Sequence, residues 1–268
     1  MTMQTDTHLD LMIALALKAG AEIDAIYKTD FDAEAKGDGS PVTAADKRAE
    51  AVIEAGLKEA APDIPILAEE AASEGRIPEL GTRFFLVDPL DGTREFVSRN
   101  GEFTVNIALI DHGRPVSGVV YAPAIDKLYY GARGEGAFFQ EIAPGQDRSA
   151  AEHPHEIEAR SSFHKNLVAV ASRSHRSAET DALMAKIGVK DFTPAGSSLK
   201  FCLVAQGSAD VYPRLGRTME WDTGAGQAVL EAAGGRVMAL DGETETGPLL
   251  YNKKERGFDN PHFIAWGR

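Results

Sequence analysis

A chain of 268 residues is long enough for one large domain or two modest ones, and a composition 43% hydrophobic and 26% charged excludes disorder. The net charge of −13 opposes a nucleic-acid polymer as a general partner, so an anionic ligand would need bound metal or locally placed Lys and Arg. The single cysteine, Cys202, lies in the apolar run Phe201-Cys202-Leu203-Val204; it excludes an intramolecular disulfide, fits a reducing cytoplasm and cannot build a thiolate metal site.

Residues 8–28 carry apolar side chains at helical spacing: Leu9, Met12, Ile13, Ala16, Leu17 and Ile23. The apolar run 9–17 is too short for a membrane span, and Lys18 and Glu22 interrupt its continuation. No basic, apolar and cleavage-site pattern reads as a secretory signal, so the expected location is cytoplasmic, with loose attachment to the inner membrane face left open. Lys36-Gly37-Asp38-Gly39-Ser40-Pro41 reads as a loop from which Lys36 could approach an anion. Thr43, with Asp46 three residues on, predicts a capped helix over 43–60, ended by Pro62.

Residues 64–68 and 83–87 read as short strands, each running into carboxylates. Residues 104–110 and 116–121 read as a strand pair joined by Asp111-His112-Gly113-Arg114. From 140 to 155 the pattern dissolves into polar residues, Pro and Gly, which places a domain boundary near 150. Beyond it strands (167–171, 209–212, 236–240) alternate with helices (179–187, 197–206, 221–233). The expectation is a mixed α/β chain in two halves, 1–150 and 151–268.

The densest chemical signal is Asp88-Pro89-Leu90-Asp91-Gly92-Thr93, directly after the apolar run 84–87. A buried strand ending in two aspartates brings hard oxygen ligands to a sheet edge, and the Leu90 carbonyl can turn toward a cation between them. The Gly92 and Thr93 amides would open a helix and cradle phosphate. Taken alone, Pro-Leu-Asp-Gly is an ordinary turn. It is joined by Glu69-Glu70 after the preceding strand, where Glu70 is as readily a solvated charge, and by Asp222 at the start of a small-residue helix, where an N-cap role competes. Asp46 reads either as a capping-box partner of Thr43 or as a catalytic group, and different atoms could serve both. None of the seven histidines has metal-ligand spacing.

Taken together, Asp38 to Thr43 with Asp46, Glu69-Glu70, Asp88 to Thr93 and Trp221-Asp222 resemble, in order and over nearly the whole chain, the inositol monophosphatase superfamily of lithium-sensitive, metal-dependent phosphatases. Thr93-Arg94-Glu95-Phe96, the segment from Gly196 to Ala205, Tyr212-Pro213-Arg214 and the segment from Pro248 to Glu255 are similar to its CysQ-type 3′(2′),5′-bisphosphate nucleotidase branch. Arg94 for the branch's Lys, Ala68 before Glu69, and Gly224 where the branch often has Ala are departures that touch no presumed ligand.

The resemblance implies an α/β fold layered α-β-α-β-α. It implies two or three Mg²⁺ ions, one held by Glu69, Asp88, the Leu90 carbonyl and Thr93, a second by Asp88, Asp91 and Asp222. Asp46, Glu69 and Thr93 would be catalytic, Asp46 bonding Thr93 so that the pair helps activate water. Substrate would meet Leu90, Asp91, Gly92, Thr93, Ser197, Ser198, Lys200, Arg214 and Asp222, with Lys200 and Arg214 gripping the phosphate that is not cut; composition alone would leave both as surface cations. His175 would lie near the nucleoside. The implied reaction converts adenosine 3′,5′-bisphosphate, or its phosphosulfate, to AMP, or adenylyl sulfate, and phosphate, a step of sulfur metabolism. An inositol or sugar monophosphatase with the same metals is the alternative, and a non-catalytic metal- or nucleotide-binding regulator is a third reading. A homodimer is compatible with the resemblance.

Overall fold

The computed structural model describes residues 8–35, 41–162, 166–171 and 177–268. The Lys36–Ser40 loop and His175 lie outside the described residues. Helix α1 (His8–Tyr27) buries the predicted stripe, with Leu17 alone of its six residues only partly covered. Strands β1 (Ala33–Ala35) and β2 (Pro41–Thr43) pair antiparallel and deliver the chain to α2 (Ala44–Ala60). The capping box is present: Thr43 Oγ1 accepts from the Ala45 amide, and Asp46 Oδ2 accepts from the Thr43 amide at 2.7 Å.

A seven-stranded sheet follows in sequence order: β3 (Ile66–Ala68), β4 (Arg83–Asp91), β5 (Thr104–Asp111), β6 (Arg114–Ala122), β7 (Lys127–Ala132), β8 (Gly136–Glu141) and β9 (His155–Ile157). Short helices α3 (Glu69–Ser73) and α4 (Thr93–Val97) interrupt it near its start. The β5–β6 turn has φ of 49° at His112 and 72° at Gly113, the left-handed pair that matches strand twist in a two-residue hairpin. The stretch from 140 to 155, polar and irregular by sequence, is pinned by side chains. Arg148 donates to Gln140 Oε1 and to the Tyr130 hydroxyl, and Gln140 Nε2 donates to the Glu152 carbonyl.

The second sheet has six strands: β10 (Leu167–Ala171), β11 (Val189–Pro194), β12 (Val211–Arg214), β13 (Arg236–Asp241), β14 (Thr244–Pro248) and β15 (Phe263–Trp266), in the order β11-β10-β12-β15-β13-β14. Helices α5 (Ala178–Lys186), α6 (Leu199–Ala205) and α7 (Gly224–Ala232) complete the chain.

Alternation along β4 sets the layering. Phe85 and Val87 join the core under α1 and α2, while Phe84 and Leu86 face α6 and α7, which pack Phe201, Val204, Val229 and Leu230 between the two sheets. Leu183 and Met184 of α5 cover the far face of the second sheet. The layers therefore run α-β-α-β-α. Among the described residues no helix is long and apolar enough to cross a membrane.

Candidate active site

Sheet register brings the first two carboxylates together. β3 and β4 are parallel, with Ala68 opposite Val87, so Glu69 and Asp88 leave the same sheet edge side by side. The Glu69 carboxyl stands near enough to push the Asp88 acid up. Beyond Asp88 the β4–β5 ladder shifts: Asp88 faces Asn106 and Asp91 faces Thr104, three steps against two. A regular strand would send Asp88 and Asp91 to opposite faces; the extra residue undoes that alternation. Pro89, which has no amide to lose, sits within this bulge. The Leu90 amide closes it by donating to Asp88 Oδ1 at 3.0 Å.

Gly92 precedes α4 with φ of 92°, a conformation that suits glycine, and a Cβ there would stand 2.5 Å from Ser197 Oγ. Thr93 Oγ1 reaches Asp46 Oδ1 at 3.1 Å and the Leu90 carbonyl at 3.3 Å. Asp46, 1% exposed, thus makes two contacts at once: Oδ2 closes the capping box with Thr43, and Oδ1 holds Thr93.

The other half of the chain supplies Asp222. Its Oδ2 accepts from the Met219 amide at 2.9 Å, and the N-cap of α7 is Thr223, so Asp222 does not cap that helix. Ser198 ties the halves together. Its Oγ lies 3.1 Å from Asp91 Oδ2 and 2.8 Å from the Asp222 carbonyl, and it accepts from Asn106 Nδ2 at 2.9 Å. Asn106 also reaches Asp91 Oδ2 at 3.3 Å. Buried Glu220 braces the same turn by accepting from the Asn252 and Lys253 amides and from Lys253 Nζ. That contact explains what the segment from Pro248 to Glu255 does: it anchors the turn that carries Asp222.

Burial pushes the Asp88 and Asp222 acids well up. Repulsion from Glu69 and Asp91 adds to both, and Asp222 adds to Asp88. Four carboxylates crowded at a buried strand edge are poorly placed unless protons or cations neutralise them. Their donor set, together with the Leu90 carbonyl, is all hard oxygen, which suits Mg²⁺ and offers nothing to a thiophilic metal. Among the described residues no three acidic or His side chains already converge as a finished cage.

A cavity of about 320 Å³ opens at this cluster, its lining including Glu69, Asp91, Thr93 and Asp222 together with Ser197, Lys200 and Arg214. Lys200 is only 7% exposed, with Nζ 5.5 Å above the Tyr212 ring. Burial lowers its ammonium to about 8, with Arg214 adding to the fall and Asp91 opposing it. Arg214 Nη2 donates to the Arg217 carbonyl, and its buried Nε has no partner among the described residues. Ser197, at φ of 47°, donates to the Asp91 carbonyl. Leu90 and Ser198 are buried and do not line it. Glu70 has its backbone amide on Glu50, and its side chain is buried rather than solvated.

Asn106, Glu220 and Glu50 escaped the sequence reading. Asn106 was visible as the amide interrupting the apolar strand 104–110, but its partner Ser198 is 92 residues away.

The inositol monophosphatase family model matches residues 4–262. The 3′(2′),5′-bisphosphate nucleotidase CysQ of Escherichia coli (strain K12) is 45% identical over 257 residues, covering 95% of this chain and 98% of that protein. Among solved structures, CysQ from Bacteroides thetaiotaomicron superposes with a TM-score of 0.81 at 38% identity, covering 98% of both chains. Inositol monophosphatase from Anabaena (Nostoc) sp. PCC 7120 does so with a TM-score of 0.72 at 28% identity, covering 97% of this chain and 90% of that one.

Proposed function

The chain belongs to the inositol monophosphatase family, and from that premise we propose that its cavity hydrolyses a 3′(2′),5′-bisphosphate nucleotide in a magnesium-dependent reaction. The chain is a phosphoric monoester hydrolase. The observation that carries the substrate reading is the pairing, in one cavity, of a carboxylate cluster with cations that include buried Lys200 and half-buried Arg214. A monophosphate needs only the first; a bisphosphate needs a grip for its second phosphate as well.

Glu69, Asp88, the Leu90 carbonyl, Asp91 and Asp222 would hold two or three Mg²⁺ ions. Bound there, Mg²⁺ would supply charge neutralisation for the phosphoryl group and a lowered pKa for water. The chain's own groups do the rest. Thr93 Oγ1 directs its proton to Asp46 Oδ1, which leaves a lone pair to accept from the attacking water. Lys200 adds a point charge and Arg214 its guanidinium charge to the phosphate that stays. Asn106 and Ser198 keep the Asp91 carboxylate in place. Glu69 and Asp91 line the cavity, where their negative charge would repel phosphate unless cations offset it. We assign residues 1–150 as the half bearing most ligands and 151–268 as the half bearing Asp222 and the specificity cations.

Phosphate release from adenosine 3′,5′-bisphosphate and from myo-inositol 1-phosphate, each with and without Mg²⁺, tests the reading. A strong magnesium-dependent preference for the nucleotide is expected. A preference for inositol phosphate would overturn the substrate, and no release from either would overturn catalysis.

A further inference from the structure

The buried face of α2 is built from Ala45, Ala49, Ile53 and Leu57, yet it also carries two acidic residues one helical turn apart, Asp46 and Glu50. Residues four apart share a helix face, so both point into the same region of the fold. Asp46 holds Thr93 at the start of α4. Glu50, 5% exposed, holds α3: its Oε2 accepts from the Glu70 amide and its Oε1 from the Ala71 amide, both at 2.8 Å.

α3 begins with Glu69, and the residue before it, Ala68, provides no side-chain cap. A five-residue helix has few internal hydrogen bonds, so its direction depends on whatever binds its first amides. Sheet pairing ends at Ala68, one residue before the carboxylate that matters. We infer that Glu50 is a positioning residue for the metal site, gripping the first turn of α3 so that the Glu69 carboxylate stands against Asp88. The inference rests on reading Glu69 as a magnesium ligand. With Asp46, it makes α2 a bracket that fixes Glu69 and Thr93, on two separate turns, in one frame.

Packing alone accounts poorly for the choice of residue. Burial pushes the Glu50 acid up to about 7 despite two amide donors, with the charges of Glu54 and Glu70 adding to the rise. An apolar side chain would pack this helix face without that penalty, though it would leave α3 unheld.

The test is magnesium binding to the substrate-free protein by calorimetry, alongside turnover as a function of Mg²⁺. Glu50→Gln keeps the size but turns one acceptor into a donor facing an amide, so one of the two bonds is lost. Glu50→Asp keeps the charge but shortens the reach. Partners that orient metal ligands typically change metal affinity roughly ten- to hundredfold when altered, and Glu50→Gln is expected to weaken Mg²⁺ binding by that factor. The KM for the bisphosphate at saturating Mg²⁺ should stay at the parent value, with Glu50→Asp intermediate in metal affinity. Glu54→Gln, one turn along α2 where the side chain pairs with Lys58, should bind Mg²⁺ as the parent does. Parental Mg²⁺ affinity in Glu50→Gln, whatever its melting temperature, would overturn the inference. If that variant does not fold, parental affinity in Glu50→Asp overturns it instead. Glu69→Gln is measured in parallel. Affinity lost there but kept in the Glu50 variants sinks the positioning role alone; affinity kept in Glu69→Gln sinks the ligand assignment beneath it.

Discussion

Asp46 accepts from Thr43 through one oxygen and from Thr93 through the other, and Asp46→Asn separates their purposes. Oδ2 takes the Thr43 amide and hydroxyl, each at 2.7 Å, while Oδ1 takes Thr93 at 3.1 Å. An asparagine oxygen satisfies the larger demand by facing Thr43, which turns the amide nitrogen toward Thr93. Thr93 must then accept a hydrogen bond instead of donating one, and its own proton has only the Leu90 carbonyl at 3.3 Å. Helix α2 keeps its cap, so the stability cost is that of exchanging charge-assisted bonds for neutral ones, about 1 kcal/mol. In a chain of this size that is a fall of roughly 2–4 °C in melting temperature. Turnover should fall much further, on the order of 10²–10⁴-fold, the usual worth of a positioned proton acceptor. Thr43→Ala is the counterpart. It removes the cap at a cost of about 0.5–2 kcal/mol and leaves the Asp46–Thr93 contact untouched. Thermal melts and steady-state kinetics on the two variants decide the matter. Turnover lost equally in both, or retained in Asp46→Asn, would mean that Asp46 acts only as a cap.

The Lys200 ammonium, lowered to about 8 by burial, is protonated below that pH and progressively neutral above it. The KM for the bisphosphate should therefore rise above pH 8 by up to about tenfold per unit, with Lys200→Arg moving the limb beyond the measurable range. Calorimetry in buffers of different ionisation enthalpy should register proton uptake on binding in the same window. Gly92→Ala places a Cβ 2.5 Å from Ser197 Oγ at a left-handed φ, so a melt should report a loss of about 1–2 kcal/mol from backbone strain alone, with a raised KM as Ser197 is displaced. Chelation should lower the melting temperature, since it leaves Glu69, Asp88, Asp91 and Asp222 to repel one another. Mg²⁺ at a hundredfold excess over its dissociation constant should stabilise by about 2.7 kcal/mol, and Asp88→Asn should abolish that response.

Local rules carried much of this protein. The stripe of α1, the capping box of α2, the β5–β6 hairpin and the strand that runs into Asp88 follow from periodicity and turn chemistry, which act within a few residues. The candidate ligands were legible for the same reason: Asp88, Asp91 and Glu69 sit at strand ends, and a strand end is a local feature. Tertiary structure decided the rest. The β4 bulge that puts Asp88 and Asp91 on one side depends on how Asn106 and Thr104 pair across the ladder. The contacts of Ser198 with Asp91 and Asn106, of Glu50 with α3 and of Glu220 with Lys253 span 107, 92, 20 and 33 residues. A side chain's type and spacing say which bonds it can make. Which partner it meets at such separations is set only when the layers close on one another.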